Sequence, residues 1–105
     1  MIEVSVDPGI CGMPSVIKIE SEDGQVAKIE FRTQCPNLKP LETELTEADA
    51  FTECFGKPGQ GEVYALAGKY CRHASCPVPC AILKGIEAAC DLALPNDAVI
   101  RIMKD

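Results

Sequence analysis

Tryptophan is absent, and two tyrosines, three phenylalanines and a single histidine complete the set of rings. So few aromatic side chains leave little with which to stack nucleic-acid bases. Positive charge is also scarce: 10 Lys and Arg against 16 Asp and Glu give a net charge of −6. Phosphate backbones are held by basic surfaces that release counterions, so this balance excludes nucleic acid as a partner. No apolar run approaches the roughly 20 residues of a membrane helix, which excludes a membrane-spanning helix. The opening Met1-Ile2-Glu3-Val4-Ser5-Val6-Asp7 has neither a basic leader nor the apolar core of a secretory signal. A soluble, cytoplasmic protein is the expectation. No Ser-His-Asp set, phosphate-binding glycine loop or paired-carboxylate motif is present, so no enzymatic activity is expected.

What is present in excess is cysteine, with seven in 105 residues. An odd count without an export signal fits a disulfide framework poorly, because the cytosol keeps thiols reduced. Metal ligation or redox chemistry is the better reading of so many thiols, with some cysteines serving as small buried hydrophobes. The rest of the composition, 47% hydrophobic and 25% charged, is that of an ordinary globular chain. One domain spanning residues 1–105 is expected, with no repeat, low-complexity tract or linker to divide it.

Ile2, Val4 and Val6 alternate with polar residues as a half-buried strand does, and Asp7-Pro8-Gly9 ends the run. Further strands are expected at Ser15–Glu20 and Val26–Arg32, with Asp23-Gly24 between them as a hairpin signal. At Cys35-Pro36 the period becomes helical: Leu38, Leu41 and Leu45 share a face, and Pro40 keeps that helix short or irregular. Thr46 is expected to cap a helix from Glu47 to Phe55, and Val63, Leu66, Ala67 and Tyr70 mark another over Glu62–Tyr70. A last helix is expected from Cys76 to about Leu94, with Ser75 as its cap and Ile82, Leu83, Ile86, Ala89 and Ala93 buried. After Pro95, Ala98, Ile100 and Ile102 alternate as a closing strand. The fold class is α+β: a small antiparallel sheet of three or four strands packed against three or four helices.

Position sorts the cysteines. Cys11, Cys35, Cys71 and Cys76 fall at element ends or loops, where side chains from separate segments converge. Cys35 and Cys76 stand at expected helix N-termini, whose partial positive charge stabilises the thiolate that binds metal. Cys54, between Phe51 and Phe55, reads as a core residue. So does Cys90, about 15 Å along the helix from Cys80 at 1.5 Å per residue. Cys80 would share a helix face with Cys76 at i and i+4, as an extra ligand, a redox thiol or a packing residue. His73 is either a further ligand or a solvent-exposed loop residue. The run Cys71-x4-Cys76-x3-Cys80 matches neither zinc-finger nor bacterial ferredoxin spacing.

Several of these elements together resemble the TSCPD domain family. Ala74-Ser75-Cys76-Pro77-Val78 is similar to its Thr-Ser-Cys-Pro-Asp motif, with Ala for Thr and Val for Asp. Upstream, Gly9-Ile10-Cys11, the Glu22-Asp23-Gly24 turn, Thr33-Gln34-Cys35-Pro36-Asn37-Leu38 and Cys71 follow the order of the small free-standing members. The similarity spans roughly residues 10 to 90. It implies that Cys11, Cys35, Cys71 and Cys76 are a shared thiol set forming a metal site, with Cys80 additional to it. The same domain is appended to adenosylcobalamin-dependent ribonucleotide reductases. A looser similarity connects the chain to NifU-type iron–sulfur scaffold proteins, which carry an aspartate after their first Cys-Gly where this sequence has Met13.

The expectation is therefore a small metal-binding protein with a four-thiolate site for zinc or an iron–sulfur cluster, scaffold- or accessory-like. Four thiolates close the coordination shell of Zn²⁺ and equally suit an iron–sulfur cluster. Two alternatives stand beside it: a metal-stabilised interaction module whose acidic Glu42–Glu53 surface meets a partner enzyme, and a thiol-redox protein using Cys76 and Cys80.

Overall fold

A computed structural model describes all residues, Met1–Asp105. Strands β1 (Ile2–Val6), β2 (Ser15–Glu20), β3 (Val26–Thr33) and β4 (Glu47–Asp49) form one antiparallel sheet in the order β1-β2-β3-β4. Helices α1 (Leu41–Glu44), α2 (Ala50–Cys54), α3 (Glu62–Tyr70) and α4 (Val78–Ala89) complete the α+β fold.

Alternation decides the sheet's orientation. Ile17 and Ile19 of β2 and Ala27, Ile29 and Phe31 of β3 are buried, while Lys18, Glu20, Lys28, Glu30 and Arg32 face solvent. The β2–β3 turn is closed by Asp23, whose Oδ1 accepts the N–H groups of Gln25 and Val26, both at 2.9 Å. The Val26 and then the Gln25 N–H hold that carboxyl below the usual carboxylate range. Gly24 takes φ +77° there, where a residue with a Cβ would be strained.

Over the inner face of β1 and β2 lies α4, through Ile82 and Ile86. Gly85 makes the approach possible: a Cβ there would stand 2.6 Å from Ile19 Cδ1 and 2.8 Å from Val4 Cγ2. Leu38, Leu41, Leu45, Val63 and Leu66 close the remainder of the core.

Several sequence expectations are corrected. The segment expected as a helix from Glu47 begins as β4, because Ala48 turns into the core and Glu47–Asp49 cover the edge of β3 at Val26–Lys28. Thr46 does not cap. Asp49 does so for α2, its Oδ1 accepting the Phe51 N–H at 3.1 Å. After Cys35 the chain runs through 3₁₀-like turns, with the Leu38 N–H on the Cys35 carbonyl at 3.1 Å. Pro40 has no N–H to give to Pro36, so α1 starts only at Leu41. Cys35 is therefore not at a helix N-terminus.

At the other end of the chain α4 begins at Val78, not Cys76, and Ser75 does not cap it. It stops at Ala89 rather than Leu94, because Cys90 already lies over the β2–β3 turn. The Cys90 carbonyl oxygen is 3.7 Å from where a Gly24 Cβ would stand. With no sheet beyond, Asp91 takes a left-handed φ of +59° and the chain turns away, leaving Ala93 exposed. The strand expected over Ala98, Ile100 and Ile102 is not formed: residues 94–105 have no regular structure and are exposed.

Candidate functional site

Antiparallel pairing sets Val6 opposite Ser15 and Ser15 opposite Thr33, a row that marks one end of the sheet. The loop carrying Cys11 and the segment carrying Cys35 both leave from that row. Since α4 finishes over the opposite end, at the β2–β3 turn, its start and the Cys71–Cys76 loop before it point back toward the row. Topology thus gathers Cys11, Cys35, Cys71 and Cys76 at one end of the domain.

Each segment there is held by its own hydrogen bonds. The buried Thr33 Oγ1 accepts the Ser15 hydroxyl at 2.8 Å and the Cys35 N–H at 3.0 Å, fixing the backbone at Cys35. The Glu42 carboxylate accepts the Thr33 N–H at 3.0 Å and pairs with Lys39 at 3.2 Å. The first of these bonds is the larger cause of its lowered pKa. Cys71 ends α3 with its N–H on the Ala67 carbonyl at 2.8 Å. The His73 carbonyl draws the next turn together: it accepts the Cys71 thiol at 3.3 Å and the Cys76 N–H at 3.1 Å.

Cys35, Cys71 and Cys76 are half-buried and packed against the core. Burial is the main cause that pushes the Cys76 thiol up, and the Val78 N–H at the head of α4 works against it. The neighbouring Cys71 and then Cys35 thiols push it further up.

Cys11 is arranged differently. It is exposed at the tip of the β1–β2 loop, between Gly9 at φ +95° and Gly12 at φ +65°. The Gln34 N–H bonds the Pro14 carbonyl at 3.1 Å, tying the base of that loop beside Cys35. As the side chains stand, no group of three or more His, Cys, Asp or Glu clasps a metal ion. The donor chemistry of Cys35, Cys71 and Cys76 fits a soft metal, and gathering a full thiol set would require these three side chains to close up as well as Cys11 to fold in.

The remaining cysteines separate by environment. Cys80 is exposed on α4 while Cys76 is half-buried ahead of it, so the two do not share a helix face. His73 is exposed. Cys90 is 4% exposed and belongs to the core. Cys54 is half-buried at the end of α2, and its Sγ lies 4.0 Å from the Leu83 carbonyl oxygen.

Glu53, Glu42 and the Ser15–Thr33 pair are structural supports that the sequence reading did not single out. Glu53 left one trace: α3 opens at Gly61-Glu62 with no capping side chain of its own, so an acceptor had to come from elsewhere. No curated protein and no solved structure matches the chain. A family model does, over residues 2–102, and the chain belongs to that family, DUF6951, a family of unknown function.

Proposed function

We propose that this chain is a small metal-binding protein without catalytic activity, acting as a scaffold or accessory in a reducing cytoplasm. Cys35, Cys71 and Cys76 form the inner part of its site and Cys11 closes it. The carrying observation is that Cys35 and the Cys71–Cys76 loop bring three half-buried thiols against one end of the core, near enough for Cys71 and Cys35 to act on the Cys76 thiol. Thiolates are soft ligands, so the metal is zinc or iron, the latter as an iron–sulfur cluster. The resemblance to TSCPD domains supports the same set, with Cys80 outside it.

The acidic segment Glu42–Glu53 gives less support to a partner-docking role. Glu42 serves the Thr33 N–H, Glu44 accepts the Tyr70 hydroxyl, and the buried Glu53 of α2 caps the start of α3. A dithiol made of Cys76 and Cys80 lacks the shared face it needs.

Metal analysis of protein purified without oxygen tests the proposal, with visible absorbance separating a cluster from zinc. Bound metal is expected in the native chain and in Cys80→Ala, and its loss in Cys35→Ala and Cys76→Ala. Full metal content in both of the latter would sink the site.

A further inference from the structure

The stretch Ala98–Ile102 has the apolar alternation of a strand, yet it pairs with nothing in its own molecule. Val99, Ile100, Ile102 and Met103 are 69–91% exposed. The domain is drawn out to 46 Å along one axis against 28 and 25 Å along the others. An extended apolar segment left open is an aggregation hazard that natural proteins cover. The segment lies within residues 2–102, so it is part of the family's domain.

A matching surface exists at the free edge of the sheet. β1 is an edge strand, so the outward N–H and C=O groups of its five residues have no strand beside them. Its inward side chains Ile2 and Val4 are only half-buried, leaving apolar surface at that edge.

From these facts we infer that residues 98–102 add as an antiparallel strand to β1 of a second copy of this chain, giving a two-fold dimer with exchanged tails. Antiparallel pairing that places Ile100 opposite Val4 also places Ala98 opposite Val6 and Ile102 opposite Ile2, all on the inner face. On the outer face the same register sets Arg101 opposite Glu3, a complementary charge pair. Main-chain bonds supply the attraction and the alternating side chains fix the register. A two-fold axis makes the exchange reciprocal.

Direction argues against the tail's own β1. The tail leaves α4 beside Gly24, at the end of the sheet where β1 starts, since Ile2 pairs with Ile19 there. Running on along its own β1 it would lie parallel, setting Val99 against Glu3 and Arg101 against Ser5. A tail arriving from another molecule is free of that constraint.

Light scattering of the full chain across a dilution series, under reductant, tests the inference. The native chain is expected to be a dimer and Ile100→Asp a monomer of unchanged circular dichroism. Glu3→Arg and Arg101→Glu should each weaken the dimer about tenfold, and the double variant should regain native affinity. A monomeric native chain, a dimer that survives Ile100→Asp, or a double variant as weak as the singles would overturn it.

Discussion

The carboxylate of Glu53 accepts the N–H groups of both Glu62, at 2.7 Å, and Val63, at 2.9 Å, so one helix supplies the cap of another. Glu53 is 5% exposed, and these bonds satisfy the first donors of α3, which Gly61 cannot serve.

Replacing Glu53 therefore leaves buried N–H groups without acceptors. Glu53→Ala should lower the free energy of unfolding by about 2 kcal/mol, and Glu53→Gln by less, because one amide oxygen remains. Gly61→Ala should destabilise as well. Gly61 has φ +97°, and its added Cβ would stand 2.8 Å from the Glu53 carboxylate. Urea unfolding of the two alanine variants and their combination should show a combined loss smaller than the sum, since removing Glu53 also removes the clash. Additive losses would mean that the two residues do not interact.

A pair of helical glycines should respond with opposite signs. Gly85→Ala forces a methyl group between Ile19 and Val4 and should destabilise by about 1–3 kcal/mol despite the better helix former. Gly68 of α3 has nothing within 4 Å of its Cβ position, so Gly68→Ala should stabilise by up to about 1 kcal/mol. Thermal unfolding of both variants decides the matter. A stabilising Gly85→Ala would show that α4 does not press on the sheet at that point.

Alkaline stability should depend on Cys54. Burial first, then Glu87, Cys90 and Glu53, push its thiol from 9.0 to about 11. The folded state thus holds this proton more tightly than the unfolded state does. Stability is fully present below pH 9 and is lost as pH rises toward 11, since ionisation there favours the unfolded chain. In urea titrations between pH 8 and 11, the native chain should lose more stability than Cys54→Ala. Equal slopes would show that Cys54 is not the titrating group.

Where a pattern runs over many residues, the fold was legible in the sequence. Alternation placed β2 and its hairpin with β3, and the spacing of Val63, Leu66 and Ala67 placed α3 at its observed bounds. β4 was not legible, because three residues hold too little periodicity and Thr46-Glu47 imitates a helix start. Prolines account for other differences: Pro40 delays α1, and α4 begins only at Val78 between Pro77 and Pro79, which separates Cys76 from Cys80. The four candidate cysteines were legible as residues of element ends. Local pattern could not tell that Cys35, Cys71 and Cys76 pack against the core while Cys11 stays at an exposed tip, because packing depends on long-range contacts.

The order of the strands bears on how the thiols come together in time. Each strand of β1-β2-β3-β4 pairs with its neighbour in sequence, so the sheet assembles through short loop closures. The docking of α4 on β1 and β2 bridges nearly the whole chain, and α4 carries the Cys71–Cys76 loop with it. The Cys71–Cys76 loop joins the Cys11 and Cys35 segments only when that long-range step is complete, so the four thiols come together with the final docking of the chain rather than with its hairpins.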